Sequence, residues 1–418
     1  MIKVFRPLVL FLWLIGVDIA FFGTSINISL FVSIFLAIAA LINIKLYKIF
    51  SRYIIFLFVW FVILSLYLFI LTIRSSLISE NFNSYMLSLL VFYPIYALAI
   101  LQIVQLYKFD MTVLIRDMVI GCFINSSIII LSVIDISLTG WIYNFIDLSA
   151  KQDKYVFGEA IFRRYSGLAT SGFSFLSVLN SFVFAAGLFL IEIRKKFTLP
   201  LILMLTIIFV SNIWVGRSGL VLGTYFLILF LINLVLFDRR DFRFRSVAVT
   251  AIIFSSSAFI FYSNQLVGEQ RLDYILSLLL FEGSGNLTAL SILASEYFFL
   301  NFETFFSSLF GVPNFNSSGV SLISDVGVVN IINLMGIVGF IIVFLPYFLT
   351  MSFSSKNWYI KAIFFTFPFV VIALNLKDTY LYGYSPSHKF FLLWFIINIY
   401  LKNRHKNELQ NHLRYSSI

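Results

Sequence analysis

Charge is scarce in this chain: Asp, Glu, Lys and Arg together make up 11% of its 418 residues. A soluble domain of that length needs a charged surface, so a water-exposed fold is excluded. Cysteine is scarcer still. Cys122 stands alone, which rules out an internal disulfide and a cysteine-built metal site and leaves no thiol pair for redox chemistry. Only His388, of three histidines, lies outside the C-terminal tail, and one histidine cannot make a metal centre. Phosphate loops are missing as well. "GSG" at 283–285 and "GRSG" at 216–219 are too short and follow no strand, so nucleotide-driven pumping is not expected. There is no internal repeat. No small-residue processing site follows the basic start, so "MIKVFRPLVLFLWLIGVDIAFF" reads as a first span that doubles as the insertion signal.

Apolar sequence fills the space that charge leaves. Hydrophobic residues make up 61% of the chain, 52 of them phenylalanine, and the mean hydropathy is +1.00. Apolar runs recur at the length needed to cross a hydrocarbon core as helices. Every amide inside lipid must be paired within its own segment or barrel, and continuous rather than alternating runs select helices. The expected fold is an all-α polytopic membrane protein, one domain over 1–418. Spans are predicted at 7–22, 26–44, 53–73, 84–106, 112–136, 170–191, 198–214, 218–237, 246–263, 325–350, 358–375 and 387–401, about twelve crossings. The tight pair flanking Gly216 and the helix carrying Arg116 and Asp117 in its first turns are its least regular members.

Basic residues set the orientation. Counting loop by loop, 20 of the 29 Lys and Arg fall on the side that also holds both termini, so both termini are expected in the cytoplasm. The net charge of +10 is then mostly an orientation signal with attraction to anionic lipid headgroups, and no nucleic acid is implied. Two outer connections are long, 137–169 and 264–324, and long loops usually carry function. Within the second, "RLDYILSLLLF" is amphipathic, "EGSGN" breaks the chain, and Thr288, Ser291 and Ser295 mark one face of a further helix. Such a segment is expected to lie in the outer membrane interface.

The outer side also gathers unusual cations. Arg163 and Arg164 stand together in "FRRYSGLATSGF", ahead of an apolar run. Either they meet lipid headgroups or Glu159, or their donor forks hold a phosphate. Arg217, in "WVGRSGLVLG", lies between two spans, where an unpaired charge costs about 2–3 kcal/mol. Arg271 opens the amphipathic segment, and Lys377 and Lys389 bracket "DTYLYGYSPSH". Drawn from four connections, these cations suit one polyanion. Asp325, at the mouth of "SDVGVVNIINLMGIVGFIIVF", is either a helix cap or a general base. Glu282, His388 and Tyr380 are further candidates. Asp18 and Asp135, near outer span ends, are lumen or packing residues.

The layout resembles the O-antigen polymerase (Wzy-type) family of membrane glycosyltransferases, with many spans and two large outer loops. "FRRYSGLATSGFSFL", "SNIWVGRSGLVLG" and "SDVGVVNIINLMGIVGFI" carry the resemblance. O-antigen ligases are similar but bear a histidine where this chain has Ser324 and Asp325, which favours the polymerase. An arginine and glycine separated by ten residues occur in some members; Arg271 and Gly283 are one residue further apart.

The resemblance implies a GT-C-like membrane fold in the bacterial inner membrane. It also implies a reaction between polyprenyl-diphosphate-linked oligosaccharides at the periplasmic face, with no cofactor. Arg163, Arg164, Arg217, Arg271 and Lys377 would hold diphosphate, with Arg164 and Arg217 also steadying the leaving oxygens. Asp325 would be the base, and outer tyrosines such as Tyr380 would stack on sugars. Membrane lipids, and a separate chain-length regulator, would be partners. A lipid-linked oligosaccharide flippase is the rival from another class, but it predicts short, even loops and charges buried mid-span.

Overall fold

Apolar helices dominate the computed structural model, which describes residues 2–21, 24–43, 51–74, 86, 88–108, 110–143, 146, 165–169, 173–194, 198–237, 305–311, 327–348 and 358–377, with single positions at 250, 253, 351 and 389. The helices are α1 (Ile2–Ile15), α2 (Ile28–Ile42), α3 (Ser51–Arg74), α4 (Tyr93–Leu106), α5 (Met111–Ile134), α6 (Ile136–Tyr143), α7 (Phe173–Arg194), α8 (Leu199–Val215), α9 (Arg217–Ile232), α10 (Phe305–Phe310), α11 (Gly327–Phe348) and α12 (Trp358–Lys377). Among the described residues, 6 stretches are long and apolar enough to cross a membrane: Ile54–Ile73, Leu89–Leu106, Met111–Ile134, Ser218–Leu236, Val328–Phe348 and Trp358–Asn375. Arg6–Ile15, Ile28–Ile42, Phe175–Ile191 and Leu199–Val215 are shorter apolar helices. The predicted spans 246–263 and 387–401, apart from the single positions 250, 253 and 389, and the connection 264–324, apart from 305–311, lie outside the described residues.

Burial follows the same logic. Phe31, Phe35, Ile38 and Ile42 form one stripe of α2 and are all more than half exposed, a face that water would penalise and lipid accepts. The chain divides into two compact units, one of 1–35, 103–289 and 385–390, the other of 36–102, 290–384 and 391–418.

In the first unit the predicted span 7–22 is cut short. Gly16 turns into the left-handed region, φ +70°, which ends α1 in the usual way for a glycine after a helix. The chain then forms β1 (Asp18–Phe21) and β2 (Thr24–Asn27), antiparallel with Asp18 opposite Asn27 and Phe21 opposite Thr24. Asn27 opens α2 by accepting the Leu30 amide at 2.6 Å. A small hairpin therefore replaces the helix ends expected at 16–27.

Lys389, expected as an outer cation, is instead fully buried. Its Nζ donates to the Trp13 carbonyl at 3.2 Å and to the Ser29 hydroxyl, while Ser29 Oγ donates to the same carbonyl. An ammonium at the C-terminal end of α1 is favoured by the helix dipole. Lys389→Met is expected to remove both ammonium bonds, leaving the Trp13 carbonyl with the Ser29 hydroxyl alone, and to destabilise the protein by about 1–3 kcal/mol, read as a lower thermal midpoint in detergent.

Asp117 is 1% exposed and lies between two cations, Arg116 at 2.9 Å and Arg6 at 3.6 Å. The Arg6 guanidinium stacks 4.2 Å above the Tyr107 ring. Burial pushes the Tyr107 phenol up, and the Asp117 carboxylate adds to the shift. The charges that make the start of α5 irregular in sequence thus tie α1 to α5.

Predicted span 112–136 ends at Ile134, because Asp135 caps α6 at the start of the connection 137–169. Asp135 Oδ1 accepts the Ser137 amide at 2.9 Å and its hydroxyl at 2.5 Å. It is exposed, so it is not a packing residue. These bonds, the hydroxyl first, hold its carboxyl below the usual range. A lowered value means that the cap is complete above about pH 3.9 and is lost as pH falls through the folded-state value. Hydrogen exchange at the Ser137 amide is therefore expected to stay slow at neutral pH and to accelerate, relative to uncapped amides, only in strong acid.

In the second unit the helix predicted from 84 begins as a π turn at Ser88–Phe92, where Pro94 cannot donate to the preceding turn. Trp60 Nε1 donates to the Ile342 carbonyl at 2.7 Å, and the Tyr93 and Tyr347 hydroxyls bond to each other. Tied in this way, α3, α4 and α11 share an aromatic core.

Candidate functional site

The arginine turn is built from one glycine serving two helices. Gly216 closes α8, its amide bonded to the Asn212 carbonyl at 3.0 Å, and opens α9, its carbonyl accepting the Gly219 amide at 3.2 Å. Arg217 is therefore the first residue of α9. A cation there opposes the positive end of the helix dipole, at a cost of about 0.3–1 kcal/mol. The positive end of a helix dipole and a guanidinium at one helix start together favour an anion.

Tyr165–Ala169, the residues that follow the arginine pair, are held from two sides. The Tyr165 amide donates to the Trp214 carbonyl at 3.2 Å, three residues before Arg217. Asn125, in α5, accepts the Leu168 amide at 2.8 Å and donates to the Ser166 carbonyl at 3.2 Å. Gly167 sits between them at φ +62°, where a Cβ would meet Asn125 Oδ1 at 2.6 Å. Only glycine fits both the backbone angle and the space. Asn125 thus reproduces the two bonds that a neighbouring strand would offer this short stretch, and the residue after Arg164 is tethered to the turn that carries Arg217.

A buried polar layer continues from this tether. Asn180 donates to Ser211 at 3.3 Å and Asn212 to Ser181 at 3.2 Å, a reciprocal pair between α7 and α8. Ser211 donates onward to Ser126 of α5 at 3.0 Å, and Ser181 to the Gly219 carbonyl of α9 at 2.5 Å. Gly219 lies so close to Ser177 that a Cβ would overlap its carbonyl, and at Gly223 a Cβ would touch Phe209 and Ser181. The "GLVLG" of α9 is accordingly a small-xxx-small face pressed on α7. Four helices are thus fixed to one another through Ser126, Asn180, Ser181, Ser211, Asn212 and Gly219, the last two residues beyond Arg217.

Sequence reasoning singled out the cations but not their support. Asn125, Ser126, Asn180, Ser181, Ser211 and Asn212 are all buried at 1% exposure or less, and their signal was visible as "NSS", "LNS" and "SN" inside apolar runs. Polar residues at mid-helix in a membrane chain need partners, and these partner one another.

The other predicted site residues are located as follows. Arg217 and Lys377 begin α9 and end α12, in different units, and their side chains lie outside what is described. Arg163, Arg164, Arg271, Glu282, Asp325, Tyr380 and His388 lie wholly outside the described residues. Among the described residues no group of three His, Cys, Asp or Glu converges as a metal site. No protein-family model, no curated protein and no solved structure matches this chain.

Proposed function

We propose that the protein polymerises polyprenyl-diphosphate-linked oligosaccharide repeat units into an O-antigen-type surface polysaccharide. It would do so at the periplasmic face of a bacterial inner membrane, with about twelve spans in a GT-C-like arrangement and both termini cytoplasmic. One observation carries the reading: the Tyr165 amide bonds to the Trp214 carbonyl at 3.2 Å, which links the residue after Arg164 to the turn that opens with Arg217. Two arginine-bearing segments far apart in sequence are thereby joined over a rigid layer of four helices, the arrangement a diphosphate clamp needs.

In this reaction the terminal hydroxyl of one lipid-linked unit attacks the anomeric carbon of the growing chain. The new glycosidic bond forms as the bond to the diphosphate oxygen breaks, and polyprenyl diphosphate leaves with the electron pair. Asp325 takes the hydroxyl proton. Arg163, Arg164 and Arg217, with Arg271 and Lys377, neutralise the charge that grows on the leaving oxygens, and Tyr380 offers a ring face to a sugar. The donor is already activated, so no nucleotide is consumed.

Deleting the gene and resolving surface polysaccharide on a gel tests the assignment. Loss of the ladder with a single repeat unit retained is the expected result. Loss of every unit would assign the chain to ligation or flipping instead.

A further inference from the structure

Helix α11 is interrupted inside a membrane-spanning stretch. Gly336 has φ 68° and ψ −177°, conformations closed to a side chain-bearing helix residue. It lies nine positions beyond Gly327, about 14 Å along the helix, so in a hydrocarbon core of about 30 Å it lies close to the midplane. Lipid cannot satisfy broken helical backbone there, and protein must cover it.

Two groups do. Tyr67 of α3 donates its hydroxyl to the Met335 carbonyl, the acceptor released beside the break. The second is backbone from the end of the long connection. Gly311, just past α10, has φ +73°, and a Cβ on it would overlap the Gly336 amide and the Leu334–Met335 peptide. A Cβ on Gly336 would in turn overlap the Leu309 carbonyl and the Gly311 amide. Each glycine's missing side chain is where the other's backbone lies, so a side chain at either position would push the two segments apart.

We infer that the stretch around Phe305–Gly311 is a re-entrant segment, which descends to mid-membrane, seals the break in α11, and returns to the face at which α11 begins. The return is set by the sequence, since only 15 residues separate Gly311 from Gly327 and they include Pro313, Asn314, Asn316 and two serine pairs' worth of turn-forming polarity, "VPNFNSSGVSLISDV". The incoming limb is equally polar, with Asn301, Glu303 and Thr304 ahead of Phe305. A chain entering from the opposite face would need about ten apolar residues to cross the far half of the core, and this one does not have them. Two polar limbs at one face can cover each other's backbone; a lone polar limb in the far leaflet would face lipid. The inference does not depend on the proposed reaction.

Single cysteines at Asn301, Asn316 and Ser324, each introduced with Cys122→Ala into the full chain in its membrane, test it. An impermeant maleimide is applied to right-side-out and to inverted vesicles. The expected result is that all three positions react from one and the same side. Reaction of Asn301→Cys from the side opposite Ser324→Cys means that the chain passes through and overturns the proposal. A nitroxide at Phe305→Cys gives the depth, Phe305 being 79% exposed. Relaxation by oxygen at least threefold above that by a nickel chelate is expected, and the reverse order places the segment at the surface and overturns it too.

Discussion

Arg217→Ala is expected to remove the polysaccharide ladder while the protein remains in the membrane at its normal level, and Arg164→Ala to do the same. The expected loss in rate is roughly 10²–10³-fold for each, because a guanidinium that meets developing charge contributes in the transition state rather than to anchoring. Arg217→Lys should recover only a small part of the activity. An ammonium keeps the charge but not the two-pronged donor fork that spans a diphosphate. Stability should hardly change, since a cation at the first position of α9 works against the helix dipole. Loss of function together with unchanged or improved thermal stability separates a ligand-binding arginine from a structural one. Normal ladders from both alanine variants would leave the clamp without support, and only the membrane scaffold would stand.

The membrane class of the fold was open to sequence reading because it rests on composition and run length, both one-dimensional quantities. Stretches such as Ile54–Ile73 and Val328–Phe348 announce themselves by hydropathy alone. What hydropathy cannot register is local backbone geometry. Gly16 and Gly336 sit in apolar surroundings that read as uninterrupted helix, and each takes a positive φ that ends or breaks the helix. The hairpin at 18–27 escaped for the same reason: "DIAF" and "TSIN" are short and lie between two apolar helices, Ile2–Ile15 and Ile28–Ile42.

The site divides along similar lines. Charge out of place is conspicuous in sequence, so Arg163, Arg164 and Arg217 stand out, and the tether between Tyr165 and Trp214 brings two of their segments together. Lys389 shows the limit of that signal. By loop position it is an outer cation, yet it is spent on the Trp13 carbonyl and Ser29, because a long-range contact across 376 positions leaves no trace in the spacing of either segment. Asn125 is the converse case, a neutral residue in an apolar helix whose importance lies only in what it holds.

Asn125→Leu is expected to disable the protein as thoroughly as the arginine variants, by another route. The replacement removes both bonds to the loop: the Leu168 amide loses its acceptor, while the Ser166 carbonyl loses one of its donors and keeps the Ala169 amide. The first loss costs about 1–3 kcal/mol and the second about 0.5–1.5 kcal/mol, so the pair amounts to roughly 1.5–4.5 kcal/mol out of a total stability of about 5–15 kcal/mol. Gly167→Ala approaches the same contact from the other side. It adds about 1–2 kcal/mol for the left-handed backbone and drives a methyl to 2.6 Å from Asn125 Oδ1. Gly167→Ala should not add to a truncation of Asn125. In Asn125→Ala the atom that Gly167→Ala collides with is gone, so the double variant should be less unstable than the sum by about 0.5–3 kcal/mol. The backbone penalty remains, as does the crowding against the Asn125 carbonyl at 3.0 Å, so the cycle cannot return to wild type. Thermal midpoints in detergent read the coupling, and the ladder reads its consequence. If the tether orients Arg164, then Asn125→Asp, which keeps an acceptor for Leu168 and loses the donor to Ser166, should retain more assembled protein than Asn125→Leu. It should still give short chains, because a carboxylate next to the arginine-bearing segment competes with the diphosphate for the same cations. Additive losses in the cycle, or full-length ladders from Asn125→Asp, would separate the loop's anchoring from the arginines' work and leave Asn125 a purely structural residue.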